Sequence, residues 1–349
     1  MSRQRGVGLT PLREANCRAL IPATKASRKP HRTLYIPVMT RPILIAGPTA
    51  SGKSALALRL AELFGGVVIN ADAMQVYREI PILSARPSAE DEARAPHWLY
   101  GHVSAAVAYS VGRYVTDVGE ALEKAGAAGL RPIIVGGTGL YFKALLEGLS
   151  PVPAIPEEIR AHWRAQAKIL GAPSLHAELS VRDPEMAERL ASNDTQRLTR
   201  SLEVLDATGR SLADWQRQSG TPLLAEQETV RLVLRPDRQQ LLDRCDQRFD
   251  LMLEAGAVGE VAALLAADLH SDLPAMRALG VPPLASFARG VTTLEAARAQ
   301  AKLDTRHYVK RQRTWLKRNM ITWSDVQTAD LERNNRSLKL FIDCCTATS

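Results

Sequence analysis

The sequence predicts an α/β fold: a parallel-sheet core, interrupted by an all-helical insertion and completed by C-terminal helices. Three observations predict it. Short, wholly apolar runs alternate with helix-like stretches over the first 150 residues, as in a sheet covered on both faces. The run Gly47-Pro48-Thr49-Ala50-Ser51-Gly52-Lys53-Ser54 matches G-x-x-x-x-G-K-[ST] in full and stands between the first apolar run and the first helix. From Glu157 to about Asp214 the pattern is helical only, and one more apolar run follows it.

In chain order, Ile43-Leu44-Ile45-Ala46 reads as a buried strand ended by Gly47. Ser54 to Phe64 is rich in Ala and Leu and is stopped by Gly65-Gly66, so it reads as a helix. Val67-Val68-Ile69 and Ile133-Ile134-Val135 are further strands, with a helix from Arg113 to Ala128 between them. Pro151, Pro153 and Pro156 make a stiff stretch that closes this half. The helical block has loops at Gly171-Ala172-Pro173 and Ser192-Asn193-Asp194, and Arg231-Leu232-Val233-Leu234 reads as a returning strand. Helices follow from Arg238 to about Leu265 and from Thr293 to Asn319. The expected organisation is a basic leader over 1–38, a core over 39–150, a helical insertion over 151–225, the second part of the core over 226–325, and a polar tail over 326–349.

Composition excludes several classes. The chain has 349 residues, enough for about two domains. With 46% hydrophobic and 23% charged residues it is ordinary globular sequence, not a disordered chain. No apolar run approaches the roughly 20 residues of a spanning helix, so no membrane partner is expected. The net charge of +8 is misleading. Residues 1–38 hold eight Lys and Arg against one acid, Glu14, leaving the rest near neutral. Any nucleic-acid argument must therefore rest on local patches. The leader has no periodicity and no secretory apolar core; a transit peptide, a nucleic-acid arm or a non-structural extension all fit it. Cys17, Cys245, Cys344 and Cys345 lack metal-ligand spacing, and so few cysteines make no disulfide framework. His97, His102, His162 and His176 form no ligand pattern. A cytoplasmic protein without structural zinc is expected.

The Gly47–Ser54 segment carries the strongest chemistry. Its glycines let backbone N–H groups curl round a phosphate at a helix N-terminus. Lys53 would neutralise phosphate oxygens, and the Ser54 hydroxyl would take a Mg²⁺ position. The unit marks a P-loop NTPase-like core but is silent about which phosphate binds. Asp72 follows the second strand, at the sheet edge where ligands of open α/β sheets bind. The spacing Asp72-Ala73-Met74-Gln75 equally fits a helix cap. Gly136-Gly137-Thr138-Gly139, with Lys143 a turn later, could offer backbone donors to a ligand or be a tight turn only. Between Thr305 and Trp323 stand Arg306, Lys310, Arg311, Arg313, Lys317 and Arg318 without an acid, interleaved with Tyr308, Trp315 and Trp323. That is an RNA-facing helix, or a solvated face over core aromatics.

Taken together, GPTASGKS, NADAMQVY (Asn70 to Tyr77), GGTGLYFKALLEGLSP (Gly136 to Pro151), NDTQRLTRSLEV (Asn193 to Val204), DQRFDLML (Asp246 to Leu253) and TRHYVKRQRTWLKR (Thr305 to Arg318) occur in this order. The series resembles the tRNA dimethylallyltransferase (tRNA isopentenyltransferase) family over about residues 41–323. The resemblance implies transfer of a dimethylallyl group from its diphosphate to the exocyclic amine of the adenine adjacent to the anticodon. It implies that Asp72 is the general base and that the P-loop with Lys53 and Arg248 holds the diphosphate. Mg²⁺ would sit at Ser54, with Asp72 reaching it through water. Ala73, Met74, Gln75, Val76, Gly139, Ala161, Arg197, Leu198, Thr199, Arg200, Ser201 and Arg277 correspond to tRNA-contacting positions, to which the basic helix adds Arg311 and Lys317. The partners implied are the tRNA anticodon stem-loop and dimethylallyl diphosphate, for a monomeric chain.

Three positions depart from the family pattern. Ala73 replaces a frequent Ser, Leu83 replaces a glycine in Leu83-Ser84-Ala85-Arg86-Pro87, and Val281-Pro282-Pro283 replaces an aromatic and a basic residue. The competing readings are a P-loop kinase acting on a nucleotide or small molecule, prenyl transfer to free adenine nucleotides, and a non-enzymatic RNA-binding module. A helical insertion and a basic C-terminal helix speak against the two small-acceptor readings.

Overall fold

The computed structural model describes residues 41–327 and 335–347. The expected 1–38 leader lies outside them. Among the described residues one six-stranded sheet forms the centre. Its strands are β1 (Ile43–Ala46), β2 (Gly66–Asn70), β3 (His97–Trp98), β4 (Arg131–Gly136), β5 (Val230–Leu234) and β6 (Ser324–Val326). All pairings are parallel, in the order β3-β2-β4-β1-β5-β6. β1 is central: Ile43 aligns with Ile133 on one side and Val230 on the other.

Alternation along the strands divides the core in two. Leu44, Ala46, Val67, Ile69, Ile134 and Val233 face one layer. That layer includes α3 (Val111–Ala127), α4 (Gly139–Glu147) and the end of α12 (Leu294–Asn319). Ile43, Ile45, Val68, Ile133, Leu232 and Leu234 face the other, against α1 (Lys53–Phe64). This two-sided burial is why the strands read as continuous apolar runs.

Two strands escaped the sequence reading. His97–Trp98 and Ser324–Val326 are too short and polar to show a period, and neighbours recruit them at the sheet edges. The polar tail over 326–349 is also corrected. Asn335–Ala347 forms a helix, α13, whose Leu338 and Ile342 are buried beneath the sheet. Burying such side chains is worth about 1.5–3 kcal/mol each, enough to hold a helix that looks polar in sequence.

The helical block consists of α5 (Glu157–Arg182), α6 (Pro184–Arg189), α7 (Thr195–Thr208) and α8 (Leu212–Gln216). It closes round its own core of Trp163, Leu175, Leu179, Met186, Leu198 and Leu202. The chain returns beside its exit, where the Leu223 and Leu224 amides both donate to the Leu145 carbonyl. Leu224 already belongs to the sheet core, so the block ends before residue 225.

The expected helix over Arg238–Leu265 is two, α9 (Arg238–Glu254) and α10 (Ala257–Ala266), broken at Gly256. With α11 (Val281–Ala288) and α12 they form a third apolar cluster against Val76, Tyr77 and Ile80, beyond the second strand. This lobe caps the carboxyl edge of the sheet. No described helix is long and apolar enough to cross a membrane.

Candidate active site

The phosphate loop is shaped from below and behind. The Gly47 amide donates to the Gly136 carbonyl across the β1–β4 edge, 3.3 Å away. Ala50 is left-handed at φ 59°, and Gly52 caps α1 at φ 89°, where an L side chain would be strained. Ser51 is turned inward, so that a Cβ on Gly47 would stand 2.7 Å from its Oγ. Lys53 folds over the loop and donates to the Pro48 carbonyl at 3.2 Å. Its pKa is lowered to about 8, chiefly by burial, with the nearby Arg248 adding to the fall and Asp72 and Cys245 opposing it. Ser54 stays exposed at the helix start.

Asp72 is held by its own turn. Its amide donates to Asn70 Oδ1 at 2.8 Å, and Asn70 Nδ2 donates back to the Asp72 carbonyl at 2.9 Å. Asp72 Oδ1 accepts from the Met74 amide at 2.9 Å. No helix follows: residues 73–76 are a turn, and Gln75 reaches away to donate to the Ser84 and Ala85 carbonyls. The helix-cap reading therefore fails, because the turn's amides find partners without a helix. Asp72 lines a cavity of about 290 Å³ with Thr49, Cys245, Arg248 and Tyr308. The remaining wall is largely apolar, from Met74, Leu83, Phe249 and Met252.

Arg248 enters from α9 and donates to the Thr49 hydroxyl. Burial pulls its pKa down, while Asp72 and Cys245 favour the charged form. Asp72 and Arg248 thus face each other across the cavity, Arg277 and Arg311 also border it, and Lys53 lies behind it within electrostatic reach of Asp72 and Arg248. Burial also pushes the Tyr308 phenol up, keeping it neutral.

The second glycine turn, readable from sequence as a set of ligand donors or as a tight turn, also serves as a packing seat. A Cβ on Gly137 would lie 2.4 Å from Gln312 Nε2, and one on Gly139 would lie 2.2 Å from the Trp315 ring. These glycines admit α12 against the turn. Lys143 points away and pairs with Glu147 at 3.6 Å. Gln312 carried no signal of its own in the sequence, yet it is buried and bridges the two turns. The Thr49 amide donates to its Oε1, and its Nε2 donates to the Gly137 carbonyl, both at 3.0 Å.

The other expected residues divide by exposure. Met74 lines the cavity, while Val76 is fully buried and Ala73 packs on the core. In α7, Leu198, Thr199 and Ser201 face the block's interior, and only Arg197 and Arg200 reach outward, paired with Asp194 and Glu203. Ala161 is exposed on α5. Arg277 is exposed and held by Asp272, which also pairs with Lys168 of α5 at 2.6 Å. On α12, Arg306 is opposed after all, by Asp246 of α9. Lys310, Arg311, Lys317 and Arg318 make no ion pair among the described residues. Lys310, Arg311 and Arg318 border an open groove of about 510 Å³. The interleaved aromatics turn inward: Tyr308 to the cavity, Trp315 against Gly139, and Trp323 onto Phe142.

Two of the departures meet in space. Leu83 packs on Phe249 and lies so close to Gly280 that a Cβ there would be 2.8 Å from its Cδ2. Val281, Pro282 and Pro283 open α11, where proline suits the first turn. They are helix-start and core residues here.

A family model described as IPP transferase matches residues 75–319, and one described as isopentenyl transferase matches residues 41–99. The chain belongs to the IPP transferase family. Relatives of this transferase include a tRNA dimethylallyltransferase of Parvibaculum lavamentivorans, 50% identical over 87% of this chain and 96% of the relative. Another, from Rhodopseudomonas palustris, is 53% identical over 82% and 90%. Among solved structures, the tRNA isopentenylpyrophosphate transferase of Bacillus halodurans superposes with TM-score 0.63 and 30% identity, over 88% of this chain and 97% of that one. A eukaryotic dimethylallyltransferase acting on tRNA gives TM-score 0.73 at 28% identity, over 86% and 78%. The parallel P-loop core of this family member is thus shared with solved transferases.

Proposed function

We propose that this chain transfers a dimethylallyl group from dimethylallyl diphosphate to the exocyclic amine of the adenine beside the anticodon of tRNA, releasing diphosphate. The observation that carries the reading is that Asp72 and Arg248 line one half-apolar cavity, with Lys53 of the phosphate loop within electrostatic reach of both. The new C–N bond forms as the allylic C–O bond breaks, and the amine must lose a proton. Asp72 takes it: one oxygen is held by the Met74 amide, and the carboxylate borders the cavity. Negative charge developing on the leaving diphosphate is met by Lys53, Arg248 and the N-terminus of α1, groups already in place. Met74, Leu83, Phe249 and Met252 supply an apolar wall suited to a five-carbon tail and dry enough to strengthen those charges.

A stacked adenine cannot reach such a cavity, so the base must leave its stack before reacting. The unpaired cations of α12 supply a surface for the RNA backbone, with Arg197, Arg200 and Ala161 of the helical block as further contacts. Mg²⁺ fits the donor set. Among the described residues no cluster of three or more His, Cys, Asp or Glu exists to cage a metal, while the Ser54 hydroxyl and the Asp72 carboxylate are hard oxygen donors. Mg²⁺ takes few protein ligands and completes its shell with phosphate oxygens and water. When bound there, it would add charge neutralisation at the diphosphate.

The test is transfer of label from radiolabelled dimethylallyl diphosphate with tRNA, AMP or no acceptor. Label on tRNA alone is expected. Label on AMP would indicate a free-nucleotide prenyltransferase, and ATP turnover without label transfer a kinase.

A further inference from the structure

α12 carries two functions on successive residues. Arg311 points outward to the basic groove and the rim of the cavity, and Gln312 points inward to the phosphate loop. The Gln312 amide is only 6% exposed, and it is engaged at both ends. Its oxygen accepts from the Thr49 amide, and its nitrogen donates to the Gly137 carbonyl. The Thr49 hydroxyl is meanwhile held by Arg248. Besides its own strand and the β4 edge, the phosphate loop is therefore suspended from α9 through Arg248 and from α12 through Gln312. Gly137 and Gly139 lack side chains where α12 presses closest, so the contact leaves the amide little room to shift. A buried amide that loses a partner leaves a polar group unpaired, so each of the two bonds matters to how firmly the bridge holds.

We propose that Gln312 is a positioning residue that sets the phosphate loop and couples RNA on the outer face of α12 to diphosphate on the inner face. RNA held by Lys310, Arg311 and Arg318 fixes the helix, and a fixed helix fixes Gln312 and the Thr49 amide before the diphosphate arrives. The second ligand then orders less of the loop, which makes the two bindings cooperative. Coupling of this kind is reciprocal in affinity. The proposal rests on the tRNA reading above, but its readout is binding rather than transfer.

The experiment measures the affinity of inorganic pyrophosphate by calorimetry, with the full chain, in the presence and absence of saturating anticodon stem-loop RNA. Wild type, Gln312→Met and Gln312→Glu are compared. In wild type, RNA should tighten pyrophosphate about fivefold or more, the low end of common allosteric factors. Gln312→Met keeps the shape and removes both hydrogen bonds, so the RNA effect should vanish while RNA affinity stays within about twofold. Gln312→Glu keeps the acceptor for Thr49 and loses the donor to Gly137, so part of the coupling should survive. An RNA effect unchanged in Gln312→Met overturns the proposal, as does its absence in wild type. Loss of cooperative melting in both variants also overturns it, because Gln312 would then serve the fold alone. A wild type that couples the ligands but transfers no label would instead sink the functional reading and leave the coupling standing.

Discussion

Arg248 donates a hydrogen bond to the Thr49 hydroxyl across 199 positions of sequence, from the middle of α9 to the crest of the phosphate loop. The loop's own lysine comes from the first half of the core and this arginine from the second, so the diphosphate site proposed above is complete only when both halves are folded.

Arg248→Lys tests that geometry. Lysine keeps a charge but not the planar, many-donor head that spans Thr49 and the cavity. Transfer should fall at least tenfold, with the melting temperature almost unchanged. A variant with wild-type kcat and KM for dimethylallyl diphosphate would show that charge alone suffices.

Asp72→Asn keeps an oxygen for the Met74 amide and removes the base. The single-turnover rate at saturating tRNA should drop by roughly 10²–10⁴ with folding intact. Asp72→Ala should lose as much rate and in addition about 1 kcal/mol of stability, from the unpaired Met74 amide. A wild-type rate in Asp72→Asn ends the general-base assignment.

Pyrophosphate affinity should depend on pH through Lys53. Its pKa is lowered to about 8, so the free protein holds the ammonium below that pH and loses it above. A bound anion favours the protonated form, so affinity should weaken up to about tenfold per pH unit above 8. The same depression has the opposite sign for folding: the unfolded lysine binds a proton that the native one lacks between pH 8 and 10.5, so this group's contribution to stability rises with pH across that window. Lys53→Arg should abolish the alkaline loss of binding. A flat profile in wild type would exclude this lysine from anion binding.

The outer face of α12 can be tested separately. Arg311→Ala with Lys317→Ala should weaken tRNA binding and shrink the log–log salt slope by roughly one unit per phosphate contact removed. Pyrophosphate binding without RNA should change little. An unchanged slope would make this face merely solvated.

Gly139→Ala should cost about 1–3 kcal/mol, because the new Cβ meets the Trp315 ring. In a Trp315→Ala background the cost should largely disappear. Denaturant titrations of the four proteins decide it, and losses that add to within about 0.5 kcal/mol would exclude direct packing.

Much was written locally. β1, β2, β4 and β5 announced themselves because strands buried on both faces are short apolar runs, and the phosphate loop because its backbone demands glycine at fixed spacing between strand and helix. The ordered motifs carried the family and, through it, Asp72 and Arg248. Local pattern could not reveal what depends on a distant partner. β3 and β6 are strands only because a neighbour lends them a ladder, and α13 is held by Leu338 and Ile342 beneath the sheet. Arg306 seemed unopposed until α9 brought Asp246 to it. Asp72 could have been a cap until the turn after it was seen to be no helix. Above all, the glycines at 137 and 139 could be read as ligand donors or as a tight turn, and only the fold shows them as the seat of Gln312 and Trp315. The sequence determined the elements and the chemistry available, since propensity, burial period and loop geometry act over a few residues. Only the tertiary structure decided which groups meet, because contacts between residues 49, 137, 248 and 312 are set by packing across the sheet edge, not by spacing along the chain.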